Sequence, residues 1–104
     1  METAIQTQHV ELPPDLRALI EARLARLDDH YARLVRVHVT VRHGGHHLRG
    51  TEEVAIVAAC PGAVFRAAKQ EENMRDAVHA AFEAIERELA GHYERRREFA
   101  KTTS

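Results

Sequence analysis

The sequence predicts an α+β domain with the element order β-α-β-β-β-α, in which two helices pack on one face of a four-stranded mixed sheet. Three observations lead to this prediction. Valines alternate with polar residues over 35–42, apolar residues recur every three or four positions over 16–34, and a second helical stripe follows Asn73. Alternation is typical of a half-buried strand, and the wider spacing is typical of an amphipathic helix.

The first two elements are delimited by a pair of prolines. Residues 4–12 are predicted to form a strand that buries Ile5 and Val10. Pro13–Pro14 ends this strand, and the fixed φ of proline suits the first turn of a helix. Asp15 then places a negative charge at the positive end of the helix. The helix is expected to end near Tyr31, and the predicted buried stripe comprises Leu16, Leu19, Ile20, Leu24, Leu27, Tyr31 and Leu34.

Three further strands are predicted in the middle of the chain. The alternating run 35–42 leads into the glycine-containing turn 43–50, and a strand over 53–60 follows. Pro61–Gly62 turns the chain into a last strand over 63–69. The residues predicted to face the core are Val35, Val37, Val39, Val41, Val54, Ile56, Ala58, Cys60, Phe65 and Ala67.

The connections between the strands determine the predicted topology. The first two strands flank a helix, so they should pair in parallel through a right-handed crossover. The later strands are joined by short turns and should pair antiparallel. Both helices then cover one face of the sheet, and the other face should be exposed or used for binding. That outer face carries Arg36, His38, Thr40 and Arg42.

The second helix has a recognisable start. Asn73 is a good N-cap, and Asp76 three residues later resembles a capping box. Gly91 is expected to mark the fraying end of the helix. We therefore predict one domain over 1–99 and a disordered tail over 100–104. The predicted buried stripe of this helix comprises Met74, Val78, Ala81, Phe82, Ile85 and Leu89.

Composition narrows the function classes. The chain has 104 residues, 44% of them apolar, and no apolar run is long enough to span a membrane. The acidic N-terminus lacks the apolar region of a secretory signal, and the single Cys60 cannot form an internal disulfide. These features favour a cytoplasmic protein. The net charge of −1 argues against strong binding to nucleic acid through overall charge, so the local charge pattern matters more.

Histidines in the predicted turn 43–50 raise the question of a metal site. His43, His46 and His47 lie on a glycine-rich turn, with His38 on the preceding strand. Zinc requires three or four convergent ligands on a supported scaffold, whereas glycines loosen this turn. We expect a solvated turn, no metal and no cofactor. There is no recognisable nucleophile, phosphate-binding loop or isolated carboxylate pair, so we expect no enzymatic activity.

Arginines on the two helices suggest RNA binding, which is a more specific hypothesis than metal binding or catalysis. Residues 23, 26, 30 and 33 are spaced three, four and three apart and are predicted to lie along one flank of the first helix. If the helices pack side by side, basic residues of the second helix line the neighbouring ridge, and guanidinium groups suit phosphate oxygens. The alternative is that these arginines pair with nearby acids. The residues concerned are Arg23, Arg26, His30, Arg33, Arg87, His92, Arg95 and Arg96.

The chain also resembles the family of short ribosome hibernation-promoting factors and ribosome-associated translation inhibitors. The resemblance rests on the opening segment 6–13, the helical segment 16–27, the strand 35–41, and the runs 73–78 and 85–92. Each motif alone has low specificity, but their order and spacing together are fairly specific. The similarity covers roughly residues 3–96.

This resemblance implies a bacterial-type stress-response protein. Such proteins bind the small ribosomal subunit near the decoding site, where they occlude mRNA and tRNA and keep idle ribosomes inactive. The implied partner is therefore 16S-type rRNA, with no membrane and no small-molecule substrate. By position, the resemblance assigns rRNA contacts to Arg17, Arg23, Arg26, Arg87, His92 and Arg95.

Several positions depart from the family pattern. Arg75 stands where tyrosine is usual, and Ala84 and Gly91 stand where lysines are usual. Glu86 and Glu88 add negative charge beside the second-helix arginine. These changes predict weaker or displaced ribosome binding. They also keep open an alternative, a divergent paralogue that has lost rRNA affinity and acts as a protein-interaction module, with weak self-association through the outer-face residues Ala55, Val57 and Ala59.

Overall fold

The computed structural model describes residues 1–43 and 52–102, with 96–102 as backbone alone. The predicted order of elements is confirmed. The elements are β1 (Glu2–Gln8), α1 (Pro14–His30), β2 (Arg36–His43), β3 (Glu52–Cys60), β4 (Ala63–Glu71) and α2 (Met74–Thr102). Within the described residues, no helix is both long and apolar enough to span a membrane.

The four strands form one mixed sheet in the order β1-β2-β3-β4. β1 pairs with β2 in parallel, and β2–β3 and β3–β4 pair antiparallel, as the connections predicted. β1 is earlier and shorter than the predicted strand over 4–12. The reason is His9, whose φ of 58° places it in the left-handed region and ends the strand. Val10 and Leu12 still pack against the core from the connection that follows.

The core lies between the sheet and the two helices. Alternate residues of β2 and β3 are buried, as predicted, and Phe65 and Ala67 of β4 pack against them while partly exposed. Val35 is an exception, since it precedes β2 and is 56% exposed. The helix stripes complete the core, although Leu19 and Tyr31 are only partly buried. The central fully buried side chains are Ile20, Leu27, Val37, Val39, Val41, Val54, Ile56, Val78, Phe82, Ile85 and Leu89.

The start of α2 has the predicted cap. The Asp76 amide donates a hydrogen bond to the Asn73 side-chain oxygen at 2.8 Å, and the Asn73 amide group donates to the Asp76 carboxylate at 2.9 Å. The helix does not end near Gly91. It continues to Thr102 and thus enters the 100–104 segment for which we predicted no regular structure. One glycine costs a helix only about 1 kcal/mol, and the residues on either side favour helix.

Candidate nucleic-acid interface

The two helices run side by side in the same direction. At their first turns, Arg75 of α2 donates a hydrogen bond to Asp15 of α1 at 2.9 Å. At the other end, Tyr31 directly after α1 packs edge-on against Tyr93 of α2, with ring centroids 5.1 Å apart. The seam between the helices is therefore formed by one flank of each, as the RNA-binding hypothesis required.

Arg23 occupies the middle of this seam, where it forms a clamp between the helices. Its Nη2 donates to Glu86 Oε2 at 2.9 Å, and its Nη1 lies 3.2 Å from His79 Nδ1. The guanidinium carbon lies 5.3 Å from the centroid of the Phe82 ring. The Arg23 side chain is 16% exposed and that of Glu86 25%, so this ion pair is largely shielded from solvent. The charge of Arg23 is thus already balanced by a carboxylate.

Beyond the clamp the seam opens into a groove of about 510 Å³, which we call the inter-helix groove. Arg26 enters it from α1 and Arg87 from α2, and both are exposed. Neither arginine makes an ion pair with any residue whose side chain the structure describes. The complete lining is Arg26, His30, Tyr31, Glu83, Glu86, Arg87 and Ala90.

The inter-helix groove has mixed charge with a small positive excess. Glu83 is exposed at the groove, whereas Glu86 is engaged by Arg23. With Arg26 and Arg87 added, three arginines stand against two carboxylates, which leaves one net positive charge. The unpaired guanidinium groups each present several donors that match phosphate oxygens in a bidentate geometry. The groove therefore offers hydrogen-bond donors to a phosphate backbone. The negative charge of Glu83 beside them opposes the binding of phosphate.

Tyr31 closes one end of the inter-helix groove. Burial raises the pKa of its phenol above the usual range; the negative charge of Glu86 raises it further, and the positive charge of Arg26 lowers it. The phenol is therefore neutral at physiological pH and can donate a hydrogen bond to an acceptor in the groove. It adds a planar, partly exposed ring beside the two arginines.

The remaining predicted RNA-binding residues do not converge on this groove. Arg17 is exposed near the start of α1, beside the β1–α1 connection. Arg33 is not on the helix flank that its spacing predicted, because α1 ends at His30. His92 packs edge-on against Phe65 of β4 at 5.1 Å, on the sheet side of α2. Arg95 is exposed, and the side chain of Arg96 lies outside the described part of the structure.

Sequence reasoning also missed residues that shape the site. The spacing predicts Tyr31 as a core residue and gives no sign of a role for His79. The sequence left open that the helix arginines pair with nearby acids, but Arg87 forms no ion pair with Glu83, which lies one turn before it on α2. A signal was present, since positions 83, 86, 87 and 90 are spaced so that they share one face of a helix. What the spacing could not supply was the register of that face against α1.

The outer sheet face has no metal site among the described residues. His43 Nδ1 lies 2.6 Å from Glu52 Oε1, and Arg42 pairs with Glu53 at 2.7 Å. His46 and His47 lie outside the described residues. Elsewhere in the ranges 1–43 and 52–95, no three histidine, cysteine or acidic side chains cluster as metal ligands.

The chain is similar to known proteins in both sequence and structure. The model of a family described as "Sigma 54 modulation protein / S30EA ribosomal protein" matches residues 3–97. A ribosomal subunit interface protein from Coxiella burnetii has a similar structure, with a TM-score of 0.78 and 21% identity over 90% of this chain and 99% of that one. The N-terminal domain of Protein Y from Thermus thermophilus gives a TM-score of 0.70 and 21% identity, over 86% and 96% of the two chains. At these identities the structural matches show a shared fold. No curated protein sequence matches the chain.

Proposed function

The chain belongs to the sigma 54 modulation protein / S30EA ribosomal protein family, which confirms the resemblance to hibernation-promoting factors, and on this basis we propose that it is a ribosome-associated translation inhibitor. In this proposal it works in the cytoplasm without catalysis. It binds the small ribosomal subunit near the decoding site, contacts 16S-type rRNA, and keeps idle ribosomes inactive under stress.

The observation that carries the proposal is the meeting of two unpaired arginines in the inter-helix groove. Arg26 and Arg87 come from different helices and line the same groove. Two guanidinium groups in one groove can each bind a phosphate of the same backbone, and such contacts recognise RNA by shape rather than by sequence. No base-specific motif is needed for this mode of binding.

The proposed contact residues fall into two roles. Arg26 and Arg87 bind phosphate directly. Arg23 holds the helices at the spacing that the groove requires, because its charge is already paired with Glu86. The exposed arginines at positions 17, 33 and 95 add peripheral contacts to the same polyanion, whereas His92 supports α2 against Phe65.

The test is co-sedimentation of the full chain with ribosomes in a low-salt sucrose gradient. We expect the protein in the small-subunit or whole-ribosome fractions. The double variant Arg26→Glu with Arg87→Glu should stay at the top of the gradient, since each reversal replaces a phosphate contact by repulsion. Arg36→Glu is the matched control, because it reverses an exposed arginine on the outer sheet face.

Two results would contradict the proposal. If the unaltered protein stays at the top of the gradient at low salt, it does not bind ribosomes. If the double variant sediments with ribosomes as well as Arg36→Glu does, the inter-helix groove is not the binding site. Circular dichroism spectra of the three proteins should agree, which separates lost binding from lost folding.

A second candidate function has one specific observation in its favour. Glu83 and Glu86 bring two carboxylates into the groove, and one of them neutralises Arg23. This pattern suits a paralogue that has lost rRNA affinity and retains the fold as a protein-interaction module. The same gradient discriminates between the two functions. A protein-interaction module would remain at the top of the gradient, and its protein partner would be found in the same fractions.

A further inference from the structure

The two edges of the sheet differ in how well they are protected. β4 forms one edge and carries Arg66 and Lys69, and charged side chains are a common means of blocking edge pairing. β1 forms the other edge, and its stretch Thr3–Gln8 contains no charged residue, no proline and no glycine. β1 is therefore the edge that is open to another strand.

The backbone of β1 has a defined outward face. The Glu2 amide donates to the Val35 carbonyl at 2.9 Å, so Glu2 directs its backbone groups toward β2. Because this direction alternates along a strand, Ala4 and Gln6 also face β2, whereas Thr3, Ile5 and Thr7 face away. In the described sheet β1 pairs with β2 alone, so these three residues present their amides and carbonyls at the edge.

We propose that β1 is a dimerisation edge, on which a second copy of the chain pairs its own β1 antiparallel with Ile5 opposite Ile5. In this register Thr3 lies opposite Thr7 of the second copy. All outward amides and carbonyls of both strands are then satisfied by about six hydrogen bonds. No other register of the two strands pairs all three outward residues.

The side chains are also self-complementary in this register. Thr3 and Thr7 form cross-strand threonine pairs at both ends, and Ile5 meets its own copy in the centre. Ala4 lies opposite Gln6 of the second copy. No like charges face each other along the ladder, because the only charged residue of β1 is Glu2, which lies opposite Gln8.

Charges on α1 agree with the antiparallel orientation. Near Thr3, the space between β1 and α1 is lined by Glu21 and Asp28. Near Thr7, the corresponding space is lined by Arg17, with Glu11 beside it. Since Thr3 of one copy lies opposite Thr7 of the other, the acidic end of each α1 flank faces the end of the second copy where Arg17 balances Glu11, and the two acidic ends are kept apart.

This dimer does not depend on the proposed ribosome binding. The edge lies beside the α1 flank of Glu21 and Asp28, whereas the inter-helix groove lies on the flank of Arg26. Pairing through β1 therefore leaves the groove open on both copies. It also differs from stacking of the outer sheet faces, which buries Ala55 rather than the β1 backbone.

Amide hydrogen exchange of the unaltered protein gives the first test. As concentration rises from about 10 µM to about 1 mM, the Thr3, Ile5 and Thr7 amides should become at least about tenfold more protected, as expected for edge groups that enter a ladder. The Ala4 and Gln6 amides, which already face β2, should change little. Exchange at positions 3, 5 and 7 that is independent of concentration would overturn the proposal.

Sedimentation equilibrium of charge variants gives the second test. Thr3→Lys with Thr7→Lys places ammonium groups opposite each other at both ends of the ladder and should weaken dimerisation by at least about tenfold. Thr3→Lys with Thr7→Glu places opposite charges there and should dimerise at least as tightly as the unaltered chain. Ala55→Arg, on the outer face, should leave the dimer intact.

The pattern across these variants decides between the edge and other surfaces. If the Lys/Lys variant dimerises like the unaltered chain, or if Ala55→Arg abolishes the dimer, β1 is not the interface. If the Lys/Lys variant does not fold, the comparison of the Lys/Glu variant with the unaltered chain and the exchange data still test the register.

Discussion

Arg23 and Arg26 lie three residues apart on the same flank of α1, yet their surroundings are opposite. Arg23 is 16% exposed and is paired with Glu86 over the ring of Phe82. Arg26 is exposed at the inter-helix groove and makes no ion pair with a described side chain. The comparison teaches that a basic stripe read from spacing contains both an arginine that is engaged within the fold and an arginine that is exposed. The residues of α2 that face each arginine determine which one is paired and which one is exposed.

The same contrast extends along the whole seam. Toward the helix starts, the charges of the two helices are paired, through Asp15 with Arg75 and Glu86 with Arg23. Beyond this clamp the seam opens, and Arg26 and Arg87 line the groove there, with neither bonded to a carboxylate among the described side chains. The first half of the seam therefore supports the fold, and the second half is available for a ligand.

The largest expected effect on stability comes from removing the Phe82 ring, which lies against the Arg23 guanidinium. Phe82→Ala deletes a fully buried ring that contacts the Arg23 guanidinium, and should lower the free energy of unfolding by about 3–5 kcal/mol. Urea denaturation followed by circular dichroism measures this change. A loss below about 1 kcal/mol would show that the ring does not support the clamp.

Truncation of the two compared arginines should give a smaller, unequal loss. Arg23→Ala leaves Glu86 partly buried without its partner and should cost about 1–3 kcal/mol of unfolding free energy. Arg26→Ala, the matched control, should change it by less than about 0.5 kcal/mol, because the residue is exposed and unpaired. Equal losses in the two variants would remove the distinction between clamp and groove.

The exposed pair at the helix starts should matter less than the clamp. Arg75 and Asp15 are 51% and 68% exposed, so solvent screens their attraction. Arg75→Ala should therefore cost only about 0.2–1 kcal/mol. Denaturation at low and high salt checks this, because the small difference from the unaltered protein should shrink as salt is added. A loss as large as that of Arg23→Ala would contradict the assignment of a single main clamp.

The smallest effect concerns the phenol of Tyr31. Burial raises its pKa, Glu86 raises it further and Arg26 lowers it. In a Tyr93→Phe background, where Tyr31 is the remaining tyrosine, ultraviolet titration should therefore show a higher pKa in Arg26→Ala and a lower one in Glu86→Gln. Since the folded pKa lies above the unfolded value, the associated stability is complete below the usual tyrosine pKa. It is lost as pH rises through the folded value. A shift of the opposite sign in either variant would place the side chains differently.

Much of the fold follows from short-range pattern. The valine alternation of β2, the apolar stripes of both helices and the Asn73 cap each depend on neighbours in sequence, and all three are confirmed apart from Val35, which precedes β2 and is exposed. The exceptions have local causes. His9 ends β1 early through its left-handed backbone, and favourable flanking residues carry α2 through Gly91.

The site was less predictable because it depends on how two distant segments align. Spacing placed Arg23 and Arg26 on one flank, but only the register of α2 decides that Glu86 reaches Arg23 and not Arg26. The position of His92 was missed for the same reason, since its contact with Phe65 belongs to packing against β4. Arg33 was misplaced because the helix ends three residues before it.

The most direct test is the salt dependence of binding to purified small ribosomal subunits. Each phosphate contact that is removed should lower the slope of log K against log salt by about 1. We therefore predict a slope reduced by about 2 for Arg26→Ala with Arg87→Ala, and a nearly unchanged slope for Arg23→Ala. An unchanged slope in the double variant, together with a reduced slope in Arg23→Ala, would contradict the account.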